Sequence, residues 1–248
     1  MRYSTFGELI QSMDKVGYDY KKEMAGFQKI DSAQLTLKDH VRAMIYAELS
    51  NNRPWQRIQE NIDNGNIPDI FFDFDIVRLK NATPDQLVQD LRAISCGNRQ
   101  IRQQMKTLKT NIEVLERIDR DHSGIHNYYS TKTAHDLVKE LSIFYSKNKL
   151  KYMGVPLVCE YLKAVGIGVV KPDVHLRRII GRLGYSSQKP ADEWETIKIC
   201  DEIAAVYNLP HYAVDSILWQ YCADGKFAVC GATPDCKKCG VTNCPNRI

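Results

Sequence analysis

The sequence predicts an all-α protein in two lobes. Apolar residues recur at helical spacing along most of the 248 residues, period-two alternation is missing, and Gly, Pro and Asn break the chain into helix-length pieces. Residues 5–15 form the first periodic stretch. In residues 36–49, Leu37, Val41, Met44, Ile45 and Leu49 mark one face, and Thr36 or Ser32 is placed to cap it. Pro54 suits the first turn of a helix through Ile58 and Ile62. Asn64-Gly65-Asn66 and Pro68 then break the chain, and Ile70-Phe71-Phe72 reads equally as strand or helix.

Thr83-Pro84-Asp85 opens the next helix, which Cys96-Gly97-Asn98 closes. A longer helix from about 99 to 117 carries Ile101, Met105, Leu108, Ile112 and Leu115 on one side. The polar stretch 119–131 reads as a loop, with Tyr128 and Tyr129 in it. Helices resume at about 133–146, 156–165, 174–183, 195–207 and 211–222. There is no solenoid repeat and no low-complexity segment.

An apolar fraction of 44% and a charged fraction of 26% are ordinary for a globular chain. No run of about 18 apolar residues predicts a membrane span, and the N-terminal residues lack the apolar core of a secretory signal. The expected location is the cytoplasm, in association with the nucleoid if the chain handles DNA. The net charge of +4 is a weak pointer to nucleic acid, but its distribution is stronger. Lys147, Lys149, Lys151, Lys163, Lys171, Arg177, Arg178 and Arg182 face only Glu160 and Asp173 within the same stretch, a local excess above that of the whole chain.

Eight cysteines without a secretion signal argue against a disulfide framework. Cys96, Cys159, Cys200 and Cys222 sit in apolar helical patterns and read as small buried hydrophobes. Cys230, Cys236, Cys239 and Cys244 crowd near the C-terminus, with Gly231, Pro234, Gly240 and Pro245 allowing tight turns between them. Four thiolates suit zinc or a [4Fe–4S] cluster, and spacing alone does not choose between them.

The chain centres on residues 151–184. Lys151-Tyr152-Met153-Gly154-Val155-Pro156 lies between helical segments and reads as the hairpin of a helix–hairpin–helix at about 146–165. Glycine there lets a phosphate approach the backbone, and the amides of the following helix point at an anion. Gly166-Ile167-Gly168 and then Lys171-Pro172-Asp173-Val174-His175 follow. Asp173 is placed both to cap the next helix and to act as a lone carboxylate in a basic neighbourhood. His175 orients that carboxylate or packs in its helix, and Arg177 and Arg178 are candidates for phosphate contact.

This ordered set resembles the helix–hairpin–helix, Gly/Pro-Asp (HhH-GPD) superfamily of base-excision DNA glycosylases, and within it endonuclease III-like enzymes with a C-terminal iron–sulfur loop. Pro172-Asp173-Val174-His175 with Arg178 matches the segment of the catalytic Asp. Ala47-Glu48-Leu49-Ser50-Asn51-Asn52 resembles the early helix ending Leu-Ser-x-Gln, with Asn52 at the Gln position. Gly97-Asn98-Arg99-Gln100 resembles the turn before the next barrel helix. Two departures stand out. Of the usual Leu-x-Gly-x-Gly hairpin only Gly154 remains, and the place of the nucleophilic Lys of bifunctional relatives holds Gly154 or Val155.

The resemblance implies a helical barrel over 32–167. A second lobe would combine 1–31 with 168–248 and the cluster loop 230–244, and the cleft between lobes would hold Asp173. It implies a monomeric, monofunctional DNA glycosylase acting on double-stranded DNA with a flipped base. Asp173 is then the catalytic residue. Asn52, Lys151, Gly154, His175 and Arg178 are DNA contacts, and Asn52 fills the gap left by the base. Cys230, Cys236, Cys239 and Cys244 hold a [4Fe–4S] cluster, with zinc as the alternative. The other readings are a glycosylase/AP lyase using Lys151 and a non-catalytic damage-binding module. The target base is not legible.

Overall fold

A computed structural model describes residues 2–15, 17–19, 22, 30–223 and 227–247. Among these residues every regular element is a helix and no strand occurs. The chain divides into two compact units, Ile30–Ile167 and Met1–Lys29 with Gly168–Ile248. Residues 23–29 of the N-terminal segment lie outside the described residues.

The unit Ile30–Ile167 begins its main helices with α2 (Leu37–Leu49), α1 (Ser4–Lys15) belonging to the other unit. Thr36 starts α2 through a reciprocal capping box: its Oγ1 accepts from Asp39 N, and Asp39 Oδ2 accepts from Thr36 N. Helices α3 (Trp55–Asp63), α4 (Asn66–Ile70), α5 (Ile76–Asn81) and α6 (Pro84–Ala93) follow, with Pro54 just ahead of α3 and Pro84 in the first turn of α6. The run Ile70-Phe71-Phe72 is not a strand: it ends α4 and enters a left-handed turn over Phe72, Asp73 and Phe74. That turn buries Phe71 and Phe74 with their rings stacked at 6.2 Å.

Helix α7 (Ile101–Asp121) is the longest helix of this unit. Its apolar stripe, Ile101, Met105, Leu108, Ile112 and Leu115, is buried, and α2, α5 and α6 pack on it. The stretch 119–131 is helical rather than a loop. Its first residues complete α7, and α8 (Ile125–Ser130) follows a turn at Gly124, whose φ is +128°. Asp119 Oδ1 accepts from the Ile125 amide across that turn, at 3.2 Å. Tyr128 and Tyr129, spaced with Ile125 on one face, are buried. Helices α9 (Ala134–Ser142) and α10 (Val155–Ala164) pack together, and α10 also packs on α2.

In the other unit, α11 (Val174–Arg182) packs on α12 (Glu193–Tyr207) and α13 (His211–Cys222), which also pack on each other. Leu176, Ile179 and Ile180 from α11, Ile197 and Ile203 from α12, and Val214, Ile217 and Leu218 from α13 supply buried side chains. Phe6, Leu9 and Met13 bury one face of α1. The C-terminal loop lies on α1: a Cβ on Gly240 would stand 2.4 Å from Ser12 Oγ, so only glycine fits. Glu8 Oε2 accepts from the amides of Thr242 and Asn243, at 2.6 and 3.1 Å. Cys96, Cys159, Cys200 and Cys222 are all buried, as their apolar surroundings predict. No described helix is long and apolar enough to cross a membrane.

Candidate functional site

Asp173 is the N-cap of α11. Its backbone is extended, and Oδ1 accepts from the amides of His175 (2.8 Å) and Leu176 (3.1 Å). Two of the free amides at the helix start are thereby satisfied. Oδ2 has no hydrogen-bond partner among the described residues, and the residue is only partly buried. The arrangement fixes the carboxylate through one oxygen and leaves the other open. Next to it, His175 is half-buried, with its ring edge-on to Trp219 at 6.3 Å and its Nδ1 buried without a partner among the described residues. Packing therefore holds the ring, and it makes no hydrogen bond to Asp173.

The basic surplus of the stretch 147–182 is partly used inside the fold. Arg182 donates to the carbonyls of Cys230 (3.1 Å), Gly231 (2.6 Å) and Ala232 (3.1 Å). Arg177 donates to Ala191 O at 2.7 Å and stands 3.6 Å from Glu193. Lys163 pairs with Glu160 at 3.1 Å, and Lys149 donates to Met153 O. The side chains of Lys147, Lys151 and Arg178 form no hydrogen bond or ion pair among the described residues. Of these, Arg178 acts by charge on the Cys230 thiol, which leaves Lys147 and Lys151 exposed and unengaged among the described residues.

In the unit Ile30–Ile167, Lys151 lies in the connection 143–154 between α9 and α10. Its peptide is clamped by one side chain: Asn111 Oδ1 accepts from Lys151 N (2.7 Å), while Asn111 Nδ2 donates to Lys151 O (3.0 Å). The Lys151 side chain and Tyr152 are exposed, and Tyr152 takes φ +57°. Gly154 is the N-cap of α10 with φ −78°, a conformation any residue adopts, and a Cβ there would meet only Pro156 Cδ at 3.9 Å. Neither backbone strain nor crowding requires that glycine, so its bare surface is available to a ligand. Asn52 is exposed in the turn after α2, with φ +51°, which Asn tolerates well.

Sequence reasoning missed what joins these two turns. Asn111 Nδ2 also donates to Glu48 Oε1 at 3.2 Å. Glu48 is fully buried one turn before Asn52, and burial pushes its carboxyl up to about 8. Asn98 Nδ2 reaches Glu48 O and Gln104 Oε1, each at 3.0 Å, and Glu48 Oε2 and Gln104 Nε2 are buried without partners among the described residues. The signal was in the periodicity. Glu48 falls three, four and seven residues after Ile45, Met44 and Val41, and Asn111 falls three after Leu108, so both are polar residues within apolar stripes.

Cys230, Cys236, Cys239 and Cys244 line a single recess, together with Arg182 and Tyr221. Tyr221 donates to Cys239 Sγ at 3.2 Å, and Arg182 Nη1 stands 3.6 Å from Cys230 Sγ. The Cys222 thiol, a fifth sulfur outside the predicted set, hydrogen-bonds Cys230, and with Arg182 holds it down to about 6. Among the described residues, no group of three or more His, Cys, Asp or Glu side chains is drawn together tightly enough to hold a metal ion. The four thiols share one recess, and two of their sulfurs face hydrogen-bond donors.

Tyr128 and Tyr129 are engaged inside the fold. Tyr129 bonds Tyr161 at 2.9 Å in the interior, and Tyr128 donates to Glu140. No protein-family model, curated protein or solved structure matches the chain.

Proposed function

We propose that the chain is a DNA glycosylase that hydrolyses the N-glycosidic bond of a damaged, mismatched or modified base flipped out of duplex DNA. The observation that carries the reading is Asp173, a carboxylate held by its helix through Oδ1 and open at Oδ2. As the bond to the base breaks, positive charge builds on the sugar, and a fixed carboxylate stabilises that state more than the neutral ground state. Water adds to the anomeric carbon, its proton passing to the carboxylate, and the base leaves with the bonding electrons and is protonated. Flipping costs a few kcal/mol, which phosphate contacts help to offset. Lys151, Gly154 and Arg178 supply such contacts, Asn52 fills the vacated stack, and His175 packs beside the carboxylate. Cys230, Cys236, Cys239 and Cys244 would hold a [4Fe–4S] cluster rather than zinc, and it would serve as a structural clip. The expected setting is a cytoplasmic, nucleoid-associated monomer.

The test is Asp173→Asn assayed on a panel of lesion-bearing duplexes. Asn caps helices as well as Asp does, so the fold is retained. Base release should vanish while binding persists. Unchanged function in Asp173→Asn would favour a pure binding module. A borohydride-trapped adduct through Lys151, whose amine is exposed, would replace hydrolysis with glycosylase/lyase chemistry.

A further inference from the structure

The connection 143–154 carries two aromatic side chains that the fold leaves outside. Phe144 is 92% exposed and Tyr145 is 88% exposed, the two most exposed large apolar residues described. Neither ring meets another aromatic or a cation among the described residues. Contiguous exposed apolar surface is a mark of interaction sites.

The turn that presents them is anchored. Ser146 N donates to Ile143 O at 3.1 Å, closing the turn around the two rings. Asn148 N donates to Ser146 Oγ (3.1 Å), and Asn148 Nδ2 donates to the buried Tyr128 hydroxyl (2.7 Å). Arg117 donates to Lys147 O (2.7 Å) and Asn148 Oδ1 (2.9 Å), and Leu150 N returns to Leu141 O at 2.9 Å. Glu140, the nearest carboxylate in the chain, is taken up by Lys132 and Tyr128. From 141 to 159 the sequence has no acidic residue, and the Lys147 and Lys151 side chains are exposed and unpaired among the described residues.

We infer that Phe144 and Tyr145 form a stacking platform for unpaired nucleobases, with Lys147 and Lys151 meeting the neighbouring phosphates. The chemistry argues for nucleic acid over a protein partner. A pair of aromatic faces followed by free lysines at 147 and 151 matches stacked bases beside their phosphates, and stacking accepts any base. The held turn presents the rings with little left to order on binding. The inference rests on the proposed function only for the class of partner, and it adds single-stranded or unpaired DNA to a paired substrate.

The experiment measures binding by the full chain at stated salt, using fluorescence anisotropy with three labelled oligonucleotides: a perfect duplex, the same duplex with a one-base bulge, and a single strand. Phe144→Ala/Tyr145→Ala should weaken the single strand and the bulge about tenfold or more, and the perfect duplex less than about threefold. Phe144→Trp, with Asp173 intact or as Asp173→Asn, should show quenched Trp fluorescence on adding the single strand. Equal affinities of wild type and double variant for all three probes, or equal loss on all three, would overturn the platform. Sedimentation in which the double variant abolishes a self-associated form would also overturn it, assigning the rings to a second copy of the chain. Base release is not read in this assay, so a failed glycosylase reading leaves the platform standing, and the reverse also holds.

Discussion

Glu48→Gln should stabilise the protein, and by an amount that grows with pH. In the folded chain the Glu48 carboxyl is fully buried, accepts one hydrogen bond from Asn111, and is pushed from its ordinary 4.5 to about 8. The folded state therefore binds this proton more tightly than the unfolded state does. Its contribution to stability is complete below pH 4.5 and is lost as pH rises toward 8. Every pH unit climbed between those two values removes about 1.4 kcal/mol, so by pH 7 roughly 3 kcal/mol has gone. Gln has nearly the same shape and no proton to lose. The variant should match wild type near pH 4 and exceed it by about 3 kcal/mol at pH 7, an upper limit given the new amide donor it buries. Urea unfolding from about pH 4 to 8.5 gives the comparison, provided the two chains share one denaturant slope. A variant no more stable than wild type at about pH 7.5, or a difference that stays flat with pH, would refute a protonated Glu48.

His40 acts with the opposite sign. Burial lowers its imidazole to about 4, so its contribution is present above the ordinary 6.5 and is lost as pH falls toward 4. An NMR titration of the imidazole resonances should show one histidine neutral down to about pH 4. Asn111→Ala removes both bonds to the Lys151 peptide and the only bond to the Glu48 carboxyl among the described residues; it should cost about 2–4 kcal/mol in urea unfolding. Protein purified without oxygen should carry iron and acid-labile sulfide, and Cys239→Ser should lose both. Stoichiometric zinc with no iron would assign the four thiols to zinc.

Periodicity makes the helices legible because each buries a face that repeats in the sequence. The stretch it marks at 211–222 has the bounds of α13. It fails at 119–131, where polar residues hide the face formed by Ile125, Tyr128 and Tyr129 until α8 packs it against α7. Asp173 is visible as cap and candidate carboxylate because a cap is local. Which cations stay free is not visible. Arg182 commits its guanidinium to carbonyls about fifty residues away, and nothing in the sequence near Arg182 announces that. The buried link between Glu48 and Lys151 is hidden for the same reason: it is made by Asn111, remote in sequence from both.

One short helix connects the two features of the unit that carries Asp173. At its start, α11 is pinned by the Asp173 carboxylate; at its end, Arg182 grips the carbonyls of Cys230, Gly231 and Ala232, and Cys244 and Asn246 donate to Arg182 O at 3.3 and 2.8 Å. Nine residues at about 1.5 Å each make this helix only about 14 Å long. Gly184 reinforces the join, since a Cβ there would stand 2.6 Å from Pro245 Cγ. The cysteine loop thus acts on the far end of the helix whose first turn orients the carboxylate. A loop that loses its order frees Arg182 and exposes the last carbonyls of α11, and the first turn then depends on the Asp173 cap and the packing of α12 and α13. The position of the carboxylate is in this way coupled to the cysteine loop through the chain's own hydrogen bonds.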